Sequence, residues 1–392
     1  MQVRLSTPAD DPARDDFVRN HEHGTFFHLA GWGRVVERVM KHRRHDLLVV
    51  DGDRIAGVLP LSVCRTLKRK RNLISVPYGV YGGPLGRDRD VEGLLFREAE
   101  KHAIDMGAGR LELRCLRDPG LPDLVPSDLY ATFIRTLPAT PEEVLAKMPK
   151  KSRADARKAR ESHGLTLHEG RWFLDSLVDL FHKNKRSLGS PALPMAWFRA
   201  LAEEFGDDVL VHQVRKDEQV LSAVMSFRYK DQLLAYYSGT EDNADREYKA
   251  SCFMYMAQQE WCVREGYRVF DLGRSRKDSG AFKFKVHQGI ESTDLPYPLS
   301  AGDRYRAAEL ESVESEDAQA AGHLAQTAAA RDALAVDAGL ETAALKPRSG
   351  SRGPAAAVLK DGPQPWARMW RAAAARSSTW AASGKARVTA GP

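Results

Sequence analysis

The stretch Asp46-Leu-Leu-Val-Val-Asp-Gly-Asp-Arg-Ile-Ala-Gly-Val-Leu-Pro-Leu-Ser-Val63 reads as two strands joined by an Asp-Gly turn. Turn chemistry decides that reading, because glycine accepts the left-handed backbone that a tight hairpin requires. Working outward, residues 72–76 form a further strand, 91–106 a long helix with Gly107 as its stop, and Arg110-Leu-Glu-Leu-Arg-Cys115 alternates with the period of a strand. The same order then returns. Residues 209–214, 220–229 and 232–237 make a meander, 249–265 a helix stopped by Gly266, and Val269-Phe-Asp-Leu272 a strand. Helices over 31–40, 171–186 and 195–205 complete the reading. Hairpin, strand, helix and strand thus occur over 46–115 and again over 209–272. This is an α+β plan, either duplicated in tandem or met in two unrelated domains.

Composition narrows the classes. The chain has 392 residues, 43% hydrophobic and 29% charged, which excludes a collagen, a coiled-coil rod and a wholly disordered protein. Lys plus Arg number 59 against 53 Asp plus Glu, and a net charge of +6 is too small to mark a dedicated nucleic-acid binder without a localised patch. Cys64, Cys115, Cys252 and Cys262 show no CxxC spacing and no metal pattern, so reduced, buried thiols and a cytoplasmic location are expected. There is no apolar run of about 18 residues, and the first residues lack a basic stretch followed by an apolar core, so neither a membrane span nor a secretory signal is expected. Residues 301–392 are rich in Ala, Gly, Pro, Ser and Arg and hold no Ile or Phe. Too few large side chains remain there to offset chain entropy, and a disordered, low-complexity tail is expected. Trp366, Trp370 and Trp380 stand out in it, and a shifted reading frame would account for such a segment.

Two basic clusters follow from the residues alone. Arg65, Lys68, Arg69, Lys70 and Arg71 crowd one loop. Lys150, Arg153, Arg157 and Arg160 fall on one helical face between the two halves, either an anion-binding face or an ordinary solvated one.

The densest polar stretch is Phe270-Asp-Leu-Gly-Arg-Ser-Arg-Lys-Asp-Ser-Gly-Ala-Phe-Lys-Phe-Lys-Val-His-Gln-Gly289. A strand ends in Asp271, a loop follows, and Phe282-Lys-Phe-Lys285 alternates as a second strand would, with both rings on one face and both lysines on the other. Arg274, Lys285 and backbone N–H groups then hold an anion or stabilise an oxyanion, unless the segment is an exposed hairpin with surface lysines. Asp271 is either a general base or a loop-organising acceptor. Tyr236-Tyr237-Ser238-Gly239 ends a neighbouring strand, where a phenol or hydroxyl relays a proton or merely packs. There is no GxGxxG, GxxxxGK[ST], HExxH or GxSxG, and no metal site is expected.

These residues resemble the FemAB-like proteins, which pair two acyltransferase-like (GNAT) domains, and most of all the FemAB-related branch found with exosortase/PEP-CTERM exopolysaccharide systems. The resemblance spans about 1–298 and rests on His28-Leu-Ala-Gly-Trp32, Pro77-Tyr-Gly-Val-Tyr-Gly-Gly-Pro-Leu85, Lys151-Ser-Arg-Ala-Asp-Ala-Arg-Lys-Ala-Arg160, Arg186-Ser-Leu-Gly-Ser-Pro191, Tyr236-Tyr-Ser-Gly239, and Phe270-Asp-Leu-Gly-Arg-Ser275 followed by Phe284-Lys285 and Gly289. It implies GNAT-like domains over 1–140 and 164–300, with mixed sheets flanked by helices and a basic helical connector over 141–163. It implies transfer of an acyl or aminoacyl group to an amine of a cell-envelope precursor, peptidoglycan or exopolysaccharide, small or lipid-linked, with transient contact with a membrane surface.

On the family's motifs Lys285 is the first choice for a donor or transition-state contact, with Asp271 or Tyr237 handling the proton. Arg274, Ser275, Arg153, Arg186, Tyr236, Ser238, His28, Trp32 and Tyr78 are substrate-binding candidates. No tightly bound cofactor is implied; the donor is aminoacyl-tRNA or acyl-CoA. CoA-using GNAT enzymes bind pyrophosphate with a glycine-rich turn at a helix start. The corresponding stretch Asp245-Arg-Glu-Tyr-Lys-Ala-Ser-Cys252 has no glycine, which weakens the case for CoA. The rival readings are a non-catalytic binder of an anionic glycolipid or polysaccharide and a tRNA- or RNA-binding accessory.

Overall fold

Six strands carry the plan in this computed structural model: β1 (Arg71–Ile74), β2 (Leu111–Glu112), β3 (Tyr130–Thr136), β4 (Gln232–Thr240), β5 (Val269–Arg276) and β6 (Tyr297–Ser300). Among the helices around them are α1 (Arg89–Asp105), α2 (Lys150–Glu161), α3 (Leu174–Ser187), α4 (Ala250–Arg264) and α5 (Gly280–His287). The structure describes residues 1–65, 70–120 and 125–300. Lys68 and Arg69 of the first basic cluster, and the whole of 301–392 with its late tryptophans, lie outside the described residues.

Each half is built on one parallel strand pair. β1 runs beside β2 through Leu73–Leu111 and Ile74–Glu112, and α1 lies between them in the chain. β4 runs beside β5 through Gln232–Val269, Leu233–Phe270 and Leu234–Asp271, and α4 lies between them. Parallel neighbours cannot be joined by a tight turn, so each pair needs its crossover helix. An antiparallel strand leads into each pair: Ser62–Arg65 into β1 and Gln219–Tyr229 into β4. The expected repetition of one plan is therefore present in the topology.

The halves then trade a strand. β3 follows β2 in the chain, yet pairs antiparallel with β5 in the second sheet. β6 comes last of the described strands and pairs antiparallel with β2 in the first. The sheets consequently ignore the expected boundary at 140, since β3 lies before it and belongs to the second sheet, while β6 belongs to the first. The physical reason is edge protection: β2 and β5 each end a crossover, and without the traded strand each would present a row of unpaired backbone groups.

Among the described residues three apolar clusters fill the spaces. One packs α1 against the first half's strands, through Leu95, Phe96 and Ala99 on Leu47, Leu59 and Leu73. One packs α2 and α4 against the second sheet, through Ala156, Met254 and Ala257 on Phe133, Leu233 and Phe270. The third lies between the halves and joins Phe26, Phe27, Trp32 and Tyr81 to Trp197, Phe198, Phe227 and Tyr237. Trp32, expected at a binding surface, belongs to this seam instead: its ring lies 5.5 Å from Trp197 and its Nε1 donates to the Pro77 carbonyl at 2.9 Å. A ring of that size contributes most when wholly removed from water and satisfied at its one polar atom.

Phe282-Lys-Phe-Lys285 is not a strand but the middle of α5. Ser279 accepts the Phe282 N–H at 3.1 Å, a serine cap that starts the helix. Successive side chains then turn by about 100°, so the two lysines part company. Lys283 is exposed, Phe282 meets Phe133 at 5.2 Å, and Lys285, three residues beyond Phe282, turns inward with it.

The strand exchange predicts a specific lesion. Leu299→Pro removes a ladder N–H from β6, whose partners are Glu112 and Val125. Amide exchange should lose protection at Leu111 and Glu112 in the first half, while Leu233 and Leu234 in the second stay protected; equal loss in both would refute the exchange as the link.

Candidate active site

β4 and β5 are in register only as far as Leu234 and Asp271, and beyond those residues they part. The parting opens a cleft of about 1000 Å³, lined by Tyr236, Tyr237 and Ser238 of β4, Leu272 to Ser275 of β5, Phe284 and Lys285 of α5, and Tyr78 and Arg114 from the first half.

A bulge shapes the β5 wall. Leu272 and Gly273 together oppose Phe133 alone, since Thr132 pairs with Arg274 and Ile134 with Asp271. Gly273 has φ +63°, and a Cβ there would meet Tyr236 only at ordinary contact distance (3.6 Å). Backbone conformation, not lack of room, therefore calls for glycine. The left-handed turn converges three successive carbonyls on one cation: Lys285 Nζ donates to Leu272 at 2.6 Å, Gly273 at 3.0 Å and Arg274 at 3.1 Å. An ammonium has three donors, and here all three are engaged. Burial lowers the Lys285 pKa to about 7, with Asp271 opposing and Arg274 reinforcing the shift.

Arg274 is held by rings from both traded strands. Its guanidinium lies 4.3 Å from the Tyr130 ring of β3 and 5.7 Å from the Tyr297 ring of β6. Ser275 lines the same wall, buried, with no hydrogen-bond partner at Oγ among the described residues. Opposite, the Tyr255 hydroxyl donates to Ser238 at 3.2 Å. Tyr236 and Tyr237 both reach the Tyr78 carbonyl, at 3.0 and 3.5 Å, and the Tyr237 oxygen also accepts from Trp197 Nε1 at 3.0 Å. Burial holds the Tyr237 phenol well above its ordinary pKa, so it keeps its proton.

Asp271 stands behind this wall and is fully buried. Oδ1 accepts the Gly273 N–H at 2.6 Å and the Tyr81 hydroxyl at 3.2 Å, while Oδ2 has no hydrogen-bond partner among the described residues. Burial raises its pKa to about 7, against the pull of Gly273, Lys285 and Tyr81. Asp271 borders a second, smaller cavity in the seam between the halves, and so does His28. His28 is buried, with Nε2 at 2.9 Å from the Gly83 carbonyl and Thr25 Oγ1 at 2.8 Å from Nδ1, and burial lowers its pKa to about 3, so it is neutral.

In the first half the equivalent gap is closed. The loop after β1 turns back so that the Gly82 N–H meets the Arg114 carbonyl at 2.7 Å and Gly83 lies against Cys115. Val76, Tyr78 and Tyr81 all have positive φ (39°, 62° and 55°), a rare conformation for such residues. That strained loop presents the Tyr78 carbonyl and the Tyr81 hydroxyl to the second half.

The cleft thus gathers Tyr78, Tyr236, Tyr237, Ser238, Arg274, Ser275 and Lys285, and the seam cavity gathers Asp271 and His28. Trp32, Arg153 and Arg186 line neither. Arg153 donates to the Ala146 carbonyl at 3.0 Å on the outside of α2, and Arg160 of the same basic face is bound to Glu260 at 2.5 Å. Arg186 is exposed in the last turn of α3, where the cleft uses Lys185 and Leu188 instead. Sequence reading did not assign Tyr81, Tyr255 or the Asp245–Ser251 pair; Tyr81 carried a signal as part of Pro77–Leu85, and the pair lies in the stretch Asp245–Cys252 singled out for its lack of glycine.

Residues 146–286 match the family described as acetyltransferase (GNAT) domain, a span that holds every second-half residue of the cleft. No curated protein matches the chain. FemX aligns over 80% of this chain and 99% of its own, at 12% identity and a TM-score of 0.58. The C-terminal domain of a putative lysylphosphatidylglycerol synthetase from Agrobacterium fabrum aligns over 79% and 96%, at 14% identity and 0.53. A tandem GNAT protein from the clavulanic acid biosynthesis pathway aligns over 78% and 99%, at 12% identity and 0.50. At such identities the likeness is one of fold. The chain has a tandem GNAT fold. Its second half carries the acyltransferase domain, and its parallel pair β4–β5 frames the cleft. Among the described residues no helix is long and apolar enough to cross a membrane.

The buried carboxylate predicts a pH signature. Its folded pKa lies above the usual carboxylate value, so between about pH 4 and 7 the folded state binds more protons than the unfolded one, and stability falls as pH rises through that window. Lys285, lowered to about 7, stays charged in both states only up to about pH 6, so the lower part of the window reports Asp271. Asp271→Asn keeps the acceptor atom without the charge, so its melting temperature relative to the parent should climb from pH 4.5 to pH 6; a constant difference would refute the raised pKa.

Proposed function

We propose that this protein transfers an aminoacyl or acyl group onto an amine, with the donor carbonyl lying in the cleft between β4 and β5. The observation that carries the reading is the parting of two parallel strands beside a fixed cation, Arg274, on the wall of an acyltransferase domain. Lys285 serves this chemistry indirectly: with its donors committed to Leu272, Gly273 and Arg274, it fixes the β5 bulge and so the place of Arg274. Arg274 stabilises the charge that develops on the donor carbonyl oxygen. Tyr237 lines the cleft but holds its proton, while Asp271, with a pKa near neutrality, lies behind the cleft wall and not in the cleft.

The helix starts favour a donor other than a CoA thioester. In the second half the Asp245 carboxylate accepts the Ser251 N–H at 2.7 Å and its hydroxyl at 2.9 Å, at the first turn of α4. In the first half Asp88 accepts the Val91 N–H at 2.9 Å at the start of α1. Each carboxylate places a negative charge where a pyrophosphate would need free amides. The donor we favour is therefore aminoacyl-tRNA. The acceptor we favour is an amine-bearing cell-envelope precursor, in keeping with the FemAB-like resemblance and its exosortase-associated branch.

The test is to incubate the protein with charged tRNA or with acetyl-CoA, in the presence of candidate amines, and to follow the products by mass spectrometry. Aminoacylated acceptor from charged tRNA is expected, with CoA thioester untouched, and Arg274→Ala should lower kcat by roughly 10²-fold. Acetylated product from acetyl-CoA alone would overturn the donor assignment. Unreacted donor throughout, with an anionic glycan bound, would favour the binding-protein reading.

A further inference from the structure

The basic residues of α2 divide in the structure. Ser152, Ala156 and Ala159 are buried, the two alanines among the apolar residues of α4. Arg153 and Arg160 leave the outer face for the Ala146 carbonyl and Glu260. Lys150, Lys151, Arg157 and Lys158 remain exposed on the side opposite α4. Seven residues, two turns, separate the first pair from the second, so two pairs of cations stand about 10 Å apart along the axis. Arg157 has Glu161 at 3.9 Å, and the three lysines have no ion pair among the described residues.

This helix starts beside the cleft. The Ser152 hydroxyl donates to the His287 carbonyl at the end of α5, and Cys252 Sγ, in the first turn of α4, donates to the Ser152 carbonyl at 3.3 Å. Ser251 and Lys285, one and two residues from those partners, line the cleft. Further on, Arg160 meets Glu260 near the end of α4, so the two helices lie side by side and the cations lead away from the cleft along them. Four cations on a convex face diverge, and a small anion cannot engage them together. An extended polyanion can, and a nucleic-acid duplex carries charge at about 1.7 Å intervals of its axis (the value for DNA). A bilayer is the other extended anion. A helix that lies on one keeps apolar side chains exposed beside its cations. Here Ala154 alone stands between the pairs, and the apolar side of α2 is spent on α4.

We propose that the outer face of α2 is a docking surface for duplex RNA, with Lys150, Lys151, Arg157 and Lys158 on its phosphates. The identity of that RNA rests on the donor proposed above: it is the duplex arm of the charged tRNA. The ester of such a donor sits on a short unpaired strand beyond the duplex. A duplex held along α2, with its unpaired end toward Lys150, delivers that strand to the cleft at the start of the helix. The surface supplies affinity and direction without reading sequence, since its contacts are to phosphate.

Binding tests the surface without any turnover. The full chain is titrated with an unacylated RNA hairpin that ends in a short unpaired 3′ strand, by fluorescence anisotropy at about 50 to 200 mM salt. One variant combines Lys150→Gln, Lys151→Gln, Arg157→Gln and Lys158→Gln. A control variant removes the same charge elsewhere, at the exposed Arg54, Lys101, Arg199 and Arg246, each changed to Gln. The α2 variant should lose at least about tenfold in affinity, and its slope of log Kd against log salt should fall by about 3 to 4; the control should stay close to the parent. No binding by the parent, an unchanged slope in the α2 variant, or an equal loss in the control would overturn the surface. So would anionic phosphatidylglycerol vesicles that bind the parent and not the α2 variant while the hairpin binds both alike. The two proposals separate in a transfer assay. RNA held through α2 by a protein that transfers nothing sinks the function and leaves the surface standing. Transfer from charged tRNA with KM unchanged in the α2 variant sinks the surface and leaves the function standing.

Discussion

The exchange of β3 and β6 between the halves is the constraint on which the rest depends. Each traded strand covers an edge of the other half's sheet, and each brings one tyrosine to the same guanidinium: Tyr130 from β3 and Tyr297 from β6 flank Arg274. The cation on the cleft wall is therefore positioned by both halves at once. An isolated second half would lose β3, hence the partner of β5, the bulge opposite Phe133 and one of the two rings. The cleft wall belongs to the whole chain, although one half supplies nearly all of its side chains.

From that frame the two halves diverge. Both have a parallel pair with a crossover helix, and both could part into a cleft. The first does not, because the glycine-rich loop after β1 lies back on Arg114 and Cys115. Holding Val76, Tyr78 and Tyr81 at positive φ costs of order 1–3 kcal/mol each, a cost that surrounding packing must offset. The return on that strain is visible across the seam, where Tyr78 takes the hydroxyls of Tyr236 and Tyr237, and Tyr81 reaches Asp271. One cleft is filled so that the other can be furnished.

What the sequence revealed follows the range of the forces involved. The hairpin over 46–63, the meander from 209 and the helices stopped by Gly107 and Gly266 were legible because turn chemistry and periodicity are local. Met195–Phe205 matches its expected bounds residue for residue. The exchange was not legible, since nothing within β3 says that its partner lies some 140 residues away. Phe282-Lys-Phe-Lys285 misled because four alternating residues satisfy a strand pattern, while the helix is decided by the Ser279 cap and by Phe133 on another strand. Trp32 and His28 were marked as substrate-binding candidates, and the structure places both in the buried seam: motif residues report constraint, and constraint arises from packing as readily as from chemistry.

The position of Asp271 gives the tandem arrangement a physical rationale. A single GNAT-like unit would expose that face of β5 to solvent, where a carboxylate stays ionised and well hydrated. Apposing a second unit buries it and raises its pKa towards neutrality, beside a cavity whose lining includes Thr25, His28 and Tyr81. The same apposition separates that cavity from the cleft by the Asp271–Gly273 segment of β5. The first half, with its own cleft closed, thereby changes the chemistry available in the second without entering the acyltransferase domain at all.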